Sequence, residues 1–246
     1  MIDTHAHLDM CEDADAAVSR ARQAGVTRIL TVGTGPATWP RTLELAERHD
    51  GVRAILGLHP HNAGDDDTGL DRLGELLGDE RVVAVGETGL DFFRDYAPRD
   101  AQRRAFEAQL DLASAARKPV VVHSRAADDD TARTLERFDG TVVLHCFSSP
   151  HLLPAALDRG YYVSFAGNAT YPNASDLRLA ATQVPADRIL AETDTPYLAP
   201  QPRRGRPNEP ANVVHTLAAL ARARGEEPET LERQIEDNAR RVFGLA

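Results

Sequence analysis

The chain has 246 residues, 42% of them hydrophobic and 27% charged, and a formal net charge of -10. That length holds one large α/β domain or two small ones, and the composition is that of a globular protein able to bury a sizeable core. The acidic balance excludes a generic basic nucleic-acid coat, so a polyanionic substrate would need local positive groups and bound metal to hold it.

The chain opens on a strand over residues 1–5 that runs through Asp3-Thr4-His5-Ala6-His7. His5 and His7 are two apart, so in extended backbone their imidazoles share a face and make half of a divalent-metal site. A helix follows over 13–24, with Ala14, Ala17, Val18 and Ala21 on one side and Gly25 as its stop. Strand two covers 28–32. Gly33-x-Gly35 lacks the third glycine of a dinucleotide fingerprint and reads as a turn. A helix over 40–48, with Pro40 in its first turn, leads to strand three over 52–58, which closes on His59-Pro60-His61. The stretch 62–69, with Asp65-Asp66-Asp67, is a polar loop, and Leu70, Leu73, Leu76 and Leu77 mark the next helix. Strand four, 81–85, ends at Gly86-Glu87.

The helix over 100–117 has the strongest periodicity. Strand five, Val120-Val121-Val122, is continuously β-branched, as a strand buried on both faces should be, and runs into His123. A helix over 131–138, which Asp128-Asp129-Asp130 supports through its dipole, leads to strand six, 141–144, and His145. Then come a helix over 151–159, strand seven over 161–165, and a helix over 175–183 that Ser175 caps. Strand eight, 188–191, is followed by Glu192-Thr193-Asp194. A Pro- and Arg-rich loop over 196–210 and helices over 211–224 and 228–242 close the chain. Eight strands alternating with helices predict an α/β fold, a (β/α)8 TIM barrel, as a single domain over 1–246. An open doubly wound sheet is the alternative.

In a parallel barrel these strand ends meet at one rim, where barrel active sites lie. His5, His7, Glu87, His123, His145 and Asp194 are too many ligands for one closed tetrahedral site. They suit two adjacent divalent metals that share a carboxylate and keep positions open for water and substrate. The two cysteines, Cys11 and Cys146, form no C-x-x-C pair, and a reduced, cytoplasmic setting is expected. Cys146, next to His145, should face the core. The opening residues carry no secretory pattern, and no run is long enough to cross a bilayer, so no membrane association is expected. The sole lysine, Lys118, precedes Pro119 at the start of a strand, which argues against lysine chemistry.

Taken together, Asp3-Thr4-His5-Ala6-His7-Leu8-Asp9, Gly57-Leu58-His59-Pro60-His61, Gly86-Glu87-Thr88-Gly89-Leu90-Asp91, Val122-His123-Ser124-Arg125, His145-Cys146-Phe147-Ser148 and Glu192-Thr193-Asp194-Thr195-Pro196-Tyr197-Leu198 resemble the TatD family of metal-dependent deoxyribonucleases. That family falls within the amidohydrolase-like barrels. Arg206-Pro207-Asn208-Glu209-Pro210 and the late Asn238-Ala239 also fit, and the likeness spans the chain. Thr195 stands where the family often has alanine. The resemblance implies that His5, His7, Glu87 and Asp194 hold one metal, and that Glu87, His123 and His145 hold the second. It makes Asp194 the general base beside a metal-activated water, with Glu87 between the metals, and brings His61 to the scissile phosphate. Glu192, Asp91 and Asp3 are read as supports behind the ligands.

The implied activity is divalent-metal-dependent phosphodiester hydrolysis, in the form of a 3′-5′ exodeoxyribonuclease on single-stranded or frayed DNA ends, with the protein a monomer and Mg2+, Mn2+ or Zn2+ as the two ions. The alternative is an ester or amide hydrolase such as a D-aminoacyl-tRNA deacylase. Arg125, Arg203, Arg204 and Arg206 either contact phosphates or form a solvated basic loop. Phe92, Phe93, Tyr96 and Tyr171 either stack bases or pack the barrel top.

Overall fold

The computed structural model describes residues 1–64, 69–94 and 96–245, and its eight parallel strands follow one another in chain order around a single sheet. The first half comprises β1 (Ile2–Ala6), α1 (Ala14–Gln23), β2 (Arg28–Gly33), α2 (Trp39–Arg48), β3 (Val52–Leu56), α3 (Leu70–Leu76), β4 (Val82–Asp91) and α4 (Arg99–Ala116). The second comprises β5 (Val120–Arg125), α5 (Asp128–Leu135), β6 (Val142–Leu144), α6 (Leu153–Asp158), β7 (Tyr162–Phe165), α7 (Ser175–Gln183), β8 (Ile189–Ala191), α8 (Val213–Arg224) and α9 (Pro228–Phe243). The expected (β/α)8 barrel is therefore the fold. Ile29, Ala54, Val85, Val121, Val143, Val163 and Leu190 are all buried, as parallel strands covered by helices on one side and filled on the other require. The Asp65-Asp66-Asp67 run lies outside the described residues. Among the described residues no helix is long and apolar enough to cross a membrane.

The seam between β1 and β8 is closed at the rim by site residues. Ala6 bridges Thr195, the His7 amide donates to the Thr195 carbonyl (2.8 Å), and the Asp194 amide donates to the His5 carbonyl (2.9 Å). Lower down, the Thr4 hydroxyl donates to the Ala191 carbonyl at 3.0 Å. The late motifs have structural work here. The Asn208 amide group donates to the carbonyls of Thr193 (2.9 Å) and Tyr197 (2.7 Å), and that of Asn238 on α9 to Ala186 (2.8 Å) and Ile189 (2.9 Å). Both hold β8 and its exit in place.

Three local expectations are corrected. Strand four does not stop at Val85: β4 continues through Glu87 to Asp91, with a register shift against β5 between Gly86 and Thr88. Gly86, where the strand was expected to end, permits close strand packing instead. At Gly57, an added Cβ would lie 2.6 Å from the Gly86 carbonyl carbon and 2.7 Å from its Cα, beside the peptide that carries Glu87. Gly57→Ala is therefore expected to cost about 1–3 kcal/mol of stability through overpacking. Chemical denaturation measures this, and an unaltered midpoint would contradict it. Ser175 does not cap α7: Ala174 holds the cap position and no side chain bonds there. Asp128, Asp129 and Asp130 form the first turn of α5, an earlier start that still places them at the positive end of the helix dipole.

Candidate metal centre

The six ligand candidates converge at the C-terminal rim, and Glu87 is their hub. Its Oε2 faces His5 Nε2 at 3.3 Å and His7 Nε2 at 3.7 Å. Its Oε1 faces His123 Nδ1 at 2.8 Å, His145 Nε2 at 2.8 Å and His59 Nε2 at 3.2 Å. Asp194 completes the first side, with Oδ1 3.5 Å from His7 Nε2. Three overlapping groups have donor atoms within 4.8 Å of one another: His5, His7 and Asp194; His59, Glu87 and His123; and His5, Glu87 and His145, which joins the two sides. One carboxylate thus turns one oxygen toward each of the two sides.

His59 was overlooked in the sequence, where only His61 of the His-Pro-His run received a role. A usable signal was present, because a residue before proline stays extended and continues the direction of its strand. His59 sits at φ -61° and ψ 144°. Its ring is further oriented by Nδ1, which accepts the His61 amide at 3.1 Å. Gln109 on α4 fixes the preceding residue, accepting the Leu58 amide (2.7 Å) and donating to the Leu58 carbonyl (3.0 Å).

Behind these groups, carboxylates orient the imidazoles. His145 Nδ1–H donates to Glu192 Oε1 at 3.1 Å, which leaves Nε2 aimed at Glu87. His123 Nε2–H donates to Asp91 Oδ2 at 3.2 Å, which leaves Nδ1 aimed the same way. Asp91 also accepts from His61 Nε2–H at 2.9 Å, and its Oδ1 accepts the amides of Phe93 (3.0 Å) and Arg94 (2.9 Å). Asp3 accepts from the Thr193 amide (2.9 Å) and hydroxyl (2.6 Å), fixing the residue before Asp194. Glu192 and Asp91 thus each lie against an imidazole of the cluster, and Asp3 against Thr193. Glu192→Gln is expected to weaken metal affinity about 10–100-fold, because the proton on His145 Nδ1 loses its carboxylate. Metal titration of the purified variant checks this, and wild-type affinity would contradict it.

The carboxylates of the site stay ionised, and the imidazoles that face them favour the proton. Burial pushes the Glu87 carboxyl up, but the charges of His145 and His59 and hydrogen bonds from His123 and His145 hold it well below the usual range. Burial pulls His145 down, and Glu87 and Glu192 together raise it well above an ordinary imidazole. In Asp194 burial is likewise outweighed, by the His7 hydrogen bond and nearby imidazoles, and its carboxyl stays low. His59 goes the other way, lowered by burial to about 4, and so does His5, lowered by burial and the neighbouring His145. His5 is 1% exposed, and neither ring nitrogen has a hydrogen-bond partner. A buried polar atom left alone is costly, and a metal ion satisfies it. The donor set of imidazoles and carboxylates fits divalent transition ions.

Other candidates are sorted by position. His61 and Arg125 line the cavity above the cluster, which has a volume of about 750 Å³. Cys146 lines it too, which corrects the expectation of a core thiol. Its φ of 44° breaks the strand alternation after His145, and its amide donates to Glu192 Oε1 at 2.9 Å. Arg203, Arg204 and Arg206 are exposed and do not line this cavity. Arg204 instead lies over the Tyr171 ring, 4.3 Å from its centre, on a separate groove beside α7 and α8. Phe92 packs against the core, with Arg99 4.4 Å from its ring centre.

A parallel barrel that gathers a shared glutamate, five histidines and an aspartate at its rim defines a metal-dependent hydrolase. A family profile described as TatD related DNase matches residues 2–244, and the chain belongs to that family. It is 39% identical to the uncharacterized metal-dependent hydrolase TatD of Mycobacterium tuberculosis, over 100% of this chain and 98% of that one. It is also 39% identical to the 3′-5′ ssDNA/RNA exonuclease TatD of Pantoea ananatis, over 95% and 94%. The crystal structure of YJJV, a TatD homologue from Escherichia coli K12, superposes with a TM-score of 0.93 at 34% identity, covering 100% of this chain and 98% of that one.

Proposed function

We propose that the protein hydrolyses phosphodiester bonds at the 3′ end of single-stranded or frayed DNA, using two divalent cations, Mg2+, Mn2+ or Zn2+. The observation that carries this is the division of Glu87, one oxygen toward His5 and His7 and the other toward His59, His123 and His145. His5, His7, Glu87 and Asp194 would hold one ion, and Glu87, His123 and His145, with His59 added, the second. Such ions lower the pKa of coordinated water and neutralise charge on a phosphoryl group.

Asp194 supplies the base. Held ionised by the His7 hydrogen bond and the nearby imidazoles, its carboxylate would take the water proton as the water oxygen bonds to phosphorus, while the bond to the leaving oxygen breaks and that oxygen takes a proton from solvent. His61, anchored on Asp91 and lining the cavity, orients the phosphate or the leaving group. Arg125, on the same wall, takes a neighbouring phosphate, while Arg203 and Arg206, outside the cavity lining, meet phosphates further along the strand. The substrate class is supported by the Pantoea relative, named as an exonuclease of single-stranded DNA and RNA. The protein is read as a monomer, and the two free cysteines, Cys11 and Cys146, support a cytoplasmic setting.

The test is one metal-loaded preparation against single-stranded DNA, blunt duplex, RNA and acyl or amide substrates. Mononucleotide release from single strands, lost on chelation and restored by metal, is expected. Turnover of acyl or amide substrates without DNA cleavage would reverse the assignment in favour of an ester or amide hydrolase.

A further inference from the structure

Among the described residues, five large apolar or aromatic side chains are exposed: Met10 (50%), Phe93 (62%), Tyr96 (66%), Leu179 (60%) and Tyr197 (50%). Four of the five gather at the mouth of the metal centre. Met10, Tyr96 and Tyr197 line the cavity, and Phe93 lies beneath two arginines that line it, with Arg125 4.1 Å and Arg94 5.8 Å from its ring centre. Exposed apolar surface concentrated in one place marks a binding site.

Each tyrosine also rides on a histidine of the site. Tyr96 meets His61 edge to face, with ring centres 4.7 Å apart, and Tyr197 meets His7 in the same way at 6.1 Å. The Tyr197 hydroxyl reaches Met10 Sδ at 3.5 Å, which steadies that side. An edge-to-face contact leaves ring surface uncovered, and both tyrosines are at least half exposed. His7 belongs to the Asp194 side of the centre, while His61 is tied through Asp91 to the His123 side. The two rings therefore bracket the reacting centre, and Arg94 and Arg125 bring positive charge to one flank of an otherwise acidic protein.

Resting on the phosphodiesterase reading above, we propose that Tyr96 and Tyr197 are specificity-determining residues, each stacking one unpaired nucleobase on either side of the phosphodiester that is cut. A base within a duplex keeps both faces stacked, so only an unpaired end can offer a face to each ring. Stacking on aromatics tolerates any base, which suits a site that meets every sequence.

The experiment measures KM and kcat for wild type, Tyr96→Ala, Tyr197→Ala and the two Tyr→Phe variants on a single-stranded oligonucleotide. The same strand is also prepared with an abasic residue at the terminal or the penultimate nucleotide. Each alanine variant is expected to raise KM about tenfold on the intact strand, with phenylalanine retaining wild-type values. Each abasic position should weaken wild type to a similar degree and cancel the effect of one alanine variant. Unchanged KM in both alanine variants, or equal losses on intact and abasic strands, would overturn the proposal while leaving the phosphodiesterase reading in place. A wild-type enzyme that cleaves no DNA would overturn both.

Discussion

Glu87→Gln is expected to lower turnover by about a thousandfold or more while the barrel stays folded. Glutamine keeps the shape of the side chain but removes the charge that all five histidines face across 2.8 to 3.7 Å. Metal-assisted hydrolysis draws several kcal/mol of charge stabilisation from its cations, and each 1.4 kcal/mol is tenfold in rate. A hub shared by both sides should weaken both together, so bound metal and activity should fall in parallel. Circular dichroism with metal analysis separates this from unfolding. A folded variant with full metal content and wild-type turnover would show that Glu87 bridges nothing.

Asp194→Asn is expected to reduce kcat about a hundred- to ten-thousandfold, the range for loss of a positioned proton acceptor. The choice of asparagine matters. Asp194 has φ 57°, in the left-handed region, which asparagine enters more readily than other side chains and which would strain alanine. Asparagine also keeps a carbonyl oxygen near His7, so metal content should fall less than in Glu87→Gln. Single-turnover kinetics on a metal-loaded sample read the chemical step. Retention of wild-type kcat would remove Asp194 from the role of base and leave it as a ligand alone.

These two residues also show how far the sequence could be read. Strand five was legible because three consecutive valines suit only a strand buried on both faces. The His5–His7 pair was legible from its two-residue spacing, although β1 ends at Ala6 and His7 lies just beyond it. Around Glu87 alternation stops being a guide. Gly86-Glu87 read as the strand end, whereas Gly86 and Gly89 let β4 pass close to β3 and β5 and continue to Asp91. Cys146 was misplaced for a related reason, since a φ of 44° directly after His145 turns the thiol toward the cavity. Arg203 and Arg206 follow the last site motif closely, yet nearness along a loop carries no direction, and they lie outside the cavity lining. Glu192, by contrast, was placed behind the ligands from its two-residue spacing to Asp194, and its bond to His145 agrees with that position.

The most direct measurement is anomalous diffraction from crystals of the manganese-loaded protein, at the metal edge. We predict two peaks on opposite sides of the Glu87 carboxylate, one among His5, His7 and Asp194 and the other among His59, His123 and His145. No peak at the rim, or a single ion that leaves one oxygen of Glu87 uncoordinated, would contradict the paired-cation account.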